Sequence, residues 1–124
     1  MTDTHNPITR MFEWWNEAYR AEGFTPIAFA DHFTTDALFI VDGGVRGSGP
    51  AEICAHFARI AQQTDAVELV TPVIATLADE AQGFVHYRCT FSSGDKHGSE
   101  VCLAHAKLQD DKIARFEVMG RVEN

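Results

Sequence analysis

The sequence predicts an α+β fold: three N-terminal helices packed on the concave face of a strongly curved, mostly antiparallel sheet. Two observations carry that reading. Residues 83–121 hold three strand-length runs, 83–91, 99–108 and 113–119, separated by the turn formers of 92–98 and 109–112. Alternating, β-rich runs spaced in this way read as an antiparallel meander. Ahead of the meander the patterns run helix, helix, strand, helix, strand. Helices preceding such a sheet pack on one of its faces, and a curved sheet wrapped around helices encloses a pocket.

Ile8, Met11, Phe12, Trp15, Ala18 and Tyr19 recur at steps of three and four, which predicts an amphipathic helix over about residues 7–21. Pro7 suits its first turn and Gly23 its end. Thr25-Pro26 pairs an N-cap with a proline at the first helical position and opens a short helix through His32. Residues 36–42 read as a strand closed by a Gly43-Gly44 turn. Ser48 to Glu52 open the third helix, whose apolar face is Ile53, Phe57, Ile60 and Ala61. Residues 67–78 form one long β-rich run broken only by Pro72, which suits an edge or a bulge.

The chain has 124 residues and reads as one domain, 1–124, large enough for a core of its own. A net charge of -8 speaks against nucleic-acid and anionic-membrane partners, both of which need clustered Lys and Arg. No apolar run reaches spanning length and the N-terminus lacks a signal peptide's basic and apolar regions, so the expected location is cytoplasmic. Cys54, Cys89 and Cys102 are odd in number, show no C-x-x-C pairing, and read as small core residues of a reducing compartment. There is no nucleotide-binding loop or nucleophile elbow, and no cofactor is implied.

Phe33-Thr-Thr-Asp-Ala-Leu-Phe39, Gly49-Pro-Ala-Glu-Ile53 and Leu108-Gln-Asp-Asp-Lys-Ile113, together with the order of elements, resemble the nuclear transport factor 2-like superfamily, most closely its SnoaL-like branch. The resemblance covers nearly the whole chain. It implies a cone-shaped barrel enclosing an apolar pocket, and often a dimer. The functions it implies are diverse: ketosteroid isomerisation, polyketide cyclisation, epoxide hydrolysis, dehydration or non-enzymatic association. Fold does not choose among them.

Asp42 ends an otherwise apolar strand near the position where the resembling isomerases carry an aspartate base; counting from Asp36 puts Val41 there instead. A carboxylate in an apolar pocket has a raised pKa and can act as a base. The alternative is turn chemistry, with Asp before Gly-Gly accepting a backbone N–H. Tyr19 lies one turn from Trp15 and could polarise a carbonyl, as a helical tyrosine does in the isomerase-like proteins; the alternative is a pair of core aromatics. Trp14, on the neighbouring face, is expected over the pocket mouth or in a subunit contact.

Val85, Tyr87, Cys89 and Phe91 form one face of their strand and His86, Arg88 and Thr90 the other. A turn centred on Asp95-Lys96 sets His86 opposite His105 and joins Cys102, Ala104 and Ala106 to the apolar face. The expected pocket walls are Trp15, Tyr87, Phe91, Phe116, Cys102, Ala104 and Val118. The resemblance places an acidic oxyanion donor of the isomerases at Ala104 and an acid of the epoxide hydrolases at Val118, so neither catalytic set is complete. The order Ile113, Phe116, Val118 breaks alternation and predicts a bulge near Ala114-Arg115, which turns Glu117 outward. That outer face, with His86, Arg88, His105 and Glu117, is either a charged cross-strand cluster or the face of a homodimer. Two histidines without a third ligand are a weak metal signal, and no metal site is expected. His56 reads as a solvated or partly buried helix residue.

Two functions follow as expectations. One is cofactor-independent acid/base chemistry (isomerisation, cyclisation or dehydration) on a small hydrophobic carbonyl compound, with Asp42 moving the proton and Tyr19 holding the oxyanion. The other is a non-catalytic dimeric domain that binds a small apolar molecule or merely associates.

Overall fold

The structure, a computed structural model, describes residues 6–123. Residues 1–5, on which the reading of no signal peptide partly rested, lie outside the described residues. Helix α1 (Pro7–Arg20) starts at Asn6, whose Oδ1 accepts the N–H groups of Ile8 and Thr9 at 2.9 and 3.1 Å while Pro7 takes the first helical position. It ends in a Schellman arrangement: Gly23 N–H donates to Ala18 O at 2.7 Å, and Glu22 takes the left-handed conformation at φ 55°. Helix α2 (Pro26–Ala30) is capped by Thr25, whose Oγ1 accepts from Ala28 N–H at 3.2 Å.

Strand β1 (Phe33–Val41) and strand β2 (Gly44–Ser48) form a hairpin. β2 was not expected from the sequence. The turn is Asp42-Gly43 rather than Gly43-Gly44, and both residues have positive φ, 48° and 84°. That is the two-residue loop whose twist matches a hairpin and which Asp-Gly favours. Helix α3 (Gly49–Gln63) follows at once, and Glu52 Oε1 accepts the Ser48 N–H at its start, 2.9 Å.

The predicted run 67–78 is two short strands, β3 (Ala66–Leu69) and β4 (Ala75–Ala78), with Pro72 between them. Both pair antiparallel with β5 (Gln82–Ser93), at its two ends. The meander continues through β6 (Lys96–Gln109) and β7 (Lys112–Glu123). The sheet order is β2-β1-β7-β6-β5-β3, with only β1 and β7 parallel. The sheet curls but does not close, so the expected barrel is an open cone, with β2 at one edge and β3 and β4 at the other.

The β5–β6 register differs from the expected one. Phe84, not His86, lies opposite His105, and His86 faces Leu103. The cause is the turn: Ser93 pairs with Lys96, so Gly94-Asp95 is the loop, with Gly94 at φ 62° in its first position. A shift of two residues preserves the faces, and Cys102, Ala104 and Ala106 still join Val85 and Tyr87 in the core. Between β6 and β7, Lys107 pairs with Arg115 and Leu108 with Ile113, which leaves Ala114 as the extra residue of a bulge. Glu117 therefore faces outward opposite His105, and it meets Arg115 Nη2 at 2.9 Å.

The helices cover the inner face. Phe12, Phe29, Phe33, Ile53, Ile113 and Phe116 are almost fully buried between them and the sheet. Asn16 on α1 acts as a strand partner for the rim: its side chain donates to Leu69 O at 2.8 Å and accepts from Leu69 N–H at 2.9 Å. This pins β3 against α1 where the core gives way to open space.

Candidate functional site

That space is a cavity of about 320 Å³ between α1, α3 and the inner face of the sheet. Its walls include Phe12, Trp15, Phe39, Phe57, Phe116 and Val118, and β3 adds Val67 and Leu69 at the rim. Its size and aromatic lining are those of a small-molecule pocket. Its ionisable groups are Arg46, His56, Tyr87, Cys89, Glu100 and Cys102.

Each of these has a local cause. Arg46 is the extra residue of a bulge in β2, between the pairs Phe39–Gly47 and Ile40–Val45, and bulges re-aim side chains. His56 sits on α3 beside Phe57, with its ring 5.5 Å from that of Phe39 and 5.1 Å from that of Phe57. Burial lowers its pKa from the ordinary histidine value, and Arg59 and Arg46 lower it further. Glu100 shares strand parity with Cys102 and lies across Gly120, where a β-carbon would come within 2.7 Å of its carboxyl carbon. The carboxylate thus reaches the cavity because residue 120 has no side chain.

Cys102 Sγ donates to Glu100 Oε1 at 3.3 Å. Burial, then the Glu100 contact, pushes the Cys102 thiol up to about 12. Burial, with the Glu100 charge, pushes Cys89 up to about 11. Burial, ahead of the neighbouring Cys102, holds the Tyr87 phenol well above its usual range. These groups stay protonated at neutral pH, so the two thiols act as cavity wall, not as nucleophiles.

The residues expected to do chemistry are elsewhere. Asp42 is an exposed residue of the β1–β2 turn; its N–H donates to Val118 O at 2.9 Å and its Oδ1 accepts from Gly120 N–H at 3.4 Å. Val41, the alternative position, is the one on the cavity wall. Tyr19 donates its hydroxyl to Thr64 O at 2.6 Å and lines a separate, larger groove with Glu68 and Asp65. Burial, then the Asp65 charge, raises its pKa. The hydroxyl thus ties α1 to the end of α3, while its ring stacks on Trp15.

Of the expected walls, Trp15, Tyr87, Phe116, Cys102 and Val118 are on the cavity. Ala104 lies in the packed core, opposite Val118. Phe91 does not reach the cavity: it folds over Gly98 at the far end of the sheet, where its ring would lie 2.6 Å from a β-carbon. Trp14 stacks on His32 and meets Phe29 edge-on, away from the pocket mouth.

The structure resembles several solved proteins. An NTF2-like protein from Anabaena variabilis superposes with a TM-score of 0.73 at 12% identity, over 95% of this chain and 87% of its own. A protein assigned to the SnoaL-like polyketide cyclases from Jannaschia sp. gives 0.71 at 14% identity, over 92% and 82%. A protein of ketosteroid isomerase-like fold from Catenulispora acidiphila, in complex with trimethylamine, gives 0.68 at 14%, over 84% and 79%. The chain has the NTF2-like fold. No protein-family model and no curated protein matches its sequence. Identities this low establish the fold and leave the activity open.

The NTF2-like cup of this chain differs from expectation in where its polar groups stand. Arg46, His56 and Glu100 were not singled out for the cavity. Two of them had a signal. His56 is three residues after Ile53 and four before Ile60 on the apolar face of α3, and Glu100 has the parity of Cys102. Arg46 had none, because its aim depends on a bulge in a strand the sequence did not announce.

Proposed function

We propose that this chain, as one 1–124 domain, binds a small hydrophobic molecule carrying a carbonyl or similar polar head in the cavity between α1, α3 and the sheet. The observation that carries this is the combination of an apolar aromatic wall with a few ionisable groups in about 320 Å³, while Asp42 and Tyr19 are engaged in the fold's own turns and ties. The test is titration with a bicyclic ketone such as 1-tetralone, followed by NMR shifts of cavity residues. Leu69→Trp, which fills the cavity at its rim, is expected to abolish binding while leaving the fold intact. Equal affinity in that variant would sink the reading.

A second reading, cofactor-independent isomerisation, cyclisation or dehydration, is favoured by one observation. His56 is a cavity-wall base that burial keeps neutral at physiological pH. It would remove a proton from the carbon next to a carbonyl, the role first expected of Asp42. Proton–deuterium exchange at the α-carbon of the bound ketone, lost in His56→Gln, is the expected result. No exchange above buffer leaves binding alone.

The partner we infer is a second copy of the chain. Phe84, Leu103 and Met119 stand on adjacent strands of the outer face with 49%, 54% and 60% of their surface exposed. Large apolar side chains grouped on a sheet face mark an interaction surface. The flanking Arg115–Glu117 and Arg88–Glu123 pairs supply charges of both signs, which a two-fold contact can exchange. Among the described residues no helix is long and apolar enough to cross a membrane. The three free cysteines fit a cytoplasmic setting.

A further inference from the structure

Arg46 brings a permanent positive charge to the cavity wall. It is the extra residue of the β2 bulge, and its Cζ would lie 3.9 Å from a β-carbon at Gly44, the residue that pairs with Val41 of the wall. The guanidinium is thus laid back along the hairpin at the cavity rim, and the residue stays exposed, so a ligand can reach it. Among the described residues Arg46 makes no ion pair, whereas Arg20, Arg88 and Arg115 each meet a glutamate.

Its surroundings on this side are positive as well. His56 shares the cavity; after burial, the charges of Arg59 and Arg46 lower its pKa, and no carboxylate among the described residues opposes them there. The chain as a whole has 18 acidic residues against 10 basic ones, so a cavity side without an acid is a local departure from its balance. The cavity's own carboxylate, Glu100, stands across Gly120 on β7, two strands from β2, and accepts the Cys102 thiol. It leaves the guanidinium open.

We propose that Arg46 anchors a carboxylate: the ligand is an aromatic or alicyclic acid whose ring lies against Phe39, Phe57 and Val118 and whose head meets the guanidinium at the rim. This rests on the cavity-binding reading and adds to it the charge of the ligand's head. The planar fork of a guanidinium matches a carboxylate through two parallel N–H···O bonds. A neutral His56 has one ring N–H to add beside it. Apolar walls behind the pair make it count for more than it would on an open surface. One negative charge fits and two do not: with a single arginine on the wall, the second charge of a phosphate would be set against Glu100.

The experiment measures the binding of 2-naphthoate and of 2-acetylnaphthalene, which are close in shape and differ in charge, by titration calorimetry. Naphthoate is expected to bind the wild type about tenfold tighter, and Arg46→Gln to remove that margin while leaving the ketone within about twofold. Arg46→Lys, a charge without the fork, should restore only part of it. Arg59→Gln removes an equal charge from a residue that is not on the cavity wall, and should weaken naphthoate by less than about twofold. Both arginines are exposed, so these substitutions leave the fold in place. A ketone that binds as tightly as naphthoate, or an Arg46→Gln variant that weakens both compounds alike, would overturn the carboxylate anchor while the cavity reading survives. Equal losses in Arg46→Gln and Arg59→Gln would overturn it too, because the margin would then come from the general potential and not from a contact. If neither compound binds the wild type, the cavity reading falls and takes this proposal with it.

Discussion

Both faces of β5, β6 and β7 carry large apolar side chains, and those side chains have opposite fates. Inside, Tyr87, Cys102, Phe116 and Val118 are buried under α1 and α3. Outside, an odd number of residues along each strand, Phe84, Leu103 and Met119 are largely exposed. Alternation alone puts them there, because successive side chains of a strand point to opposite faces. The difference is in what covers each face. The helices complete the inner face and leave a cavity where they stop short; among the described residues nothing completes the outer one. On the proposed reading the inner face serves fold and ligand, and the outer face assembly.

The largest effect expected from that contrast is on stability. Phe116 is 2% exposed, stacks on Phe39 at 5.8 Å and meets Phe12 edge-on at 6.3 Å. Phe116→Ala should cost about 3–5 kcal/mol in denaturant unfolding, the usual range for a buried aromatic truncated in a core. Met119→Ala, three residues on and outward, should cost under about 0.5 kcal/mol at concentrations where the chain is monomeric. Comparable losses would mean that the outer face is covered within one chain, and the contrast would collapse.

Assembly comes next. Leu103→Lys places a charge at the centre of the outer patch, between His86 on β5 and Met119 on β7. Dimer dissociation should rise at least tenfold in sedimentation equilibrium, because a desolvated unpaired charge is costly at an interface. The unfolding midpoint of the monomer should hardly move. A wild type that stays monomeric at high concentration would instead assign the patch to another partner or to none.

How much of this was legible follows from what each feature depends on. The helices, the meander and the Ala114 bulge depend on local period and parity, and residues such as Pro7, Thr25 and Phe116 declare them. The β5–β6 register depended on which two residues of 92–98 form the loop, and Gly94-Asp95 is one of several combinations that local chemistry permits. The site was harder still. Tyr19 and Asp42 had the right residue types in nearly the right places, yet a tie to Thr64 and a turn with positive φ used them up. Glu100 was readable by parity alone, but only Gly120, a strand away, makes its inward path possible.

The cavity side also has a pH signature. Burial depresses the His56 pKa below its ordinary value of about 6.5. The unfolded chain then binds more protons than the folded one between the depressed value and about 6.5, so stability rises with pH across that window. It is fully present above about 6.5 and is lost as pH falls toward the folded-state value. His32, depressed chiefly by burial against Trp14, contributes in the same direction. His56→Gln should flatten part of the slope in denaturation curves between pH 7 and 5, and His32→Gln a further part. An unchanged slope in both variants would place the titration elsewhere. If His56 is also the proton acceptor, the exchange rate of a bound ketone should fall through the same window.

The smallest effect expected is at Asp42, and its smallness is the point. Asp42→Asn keeps an acceptor for the Gly120 N–H and suits a left-handed turn position at least as well as aspartate does. It also removes one negative charge from a chain of net -8. Stability should change by less than about 0.5 kcal/mol, and ligand affinity and α-proton exchange should not change at all. A base lost from an active site behaves otherwise, with turnover falling by about a hundredfold or more. A loss on that scale in Asp42→Asn, with the fold intact, would require the β1–β2 hairpin tip to fold over the cavity when ligand binds. It would return the chemistry from α3 to the strand end where the sequence first suggested it. An unchanged rate leaves Asp42 as what its backbone angles already describe, a residue that turns the chain so that Val41 can line the wall.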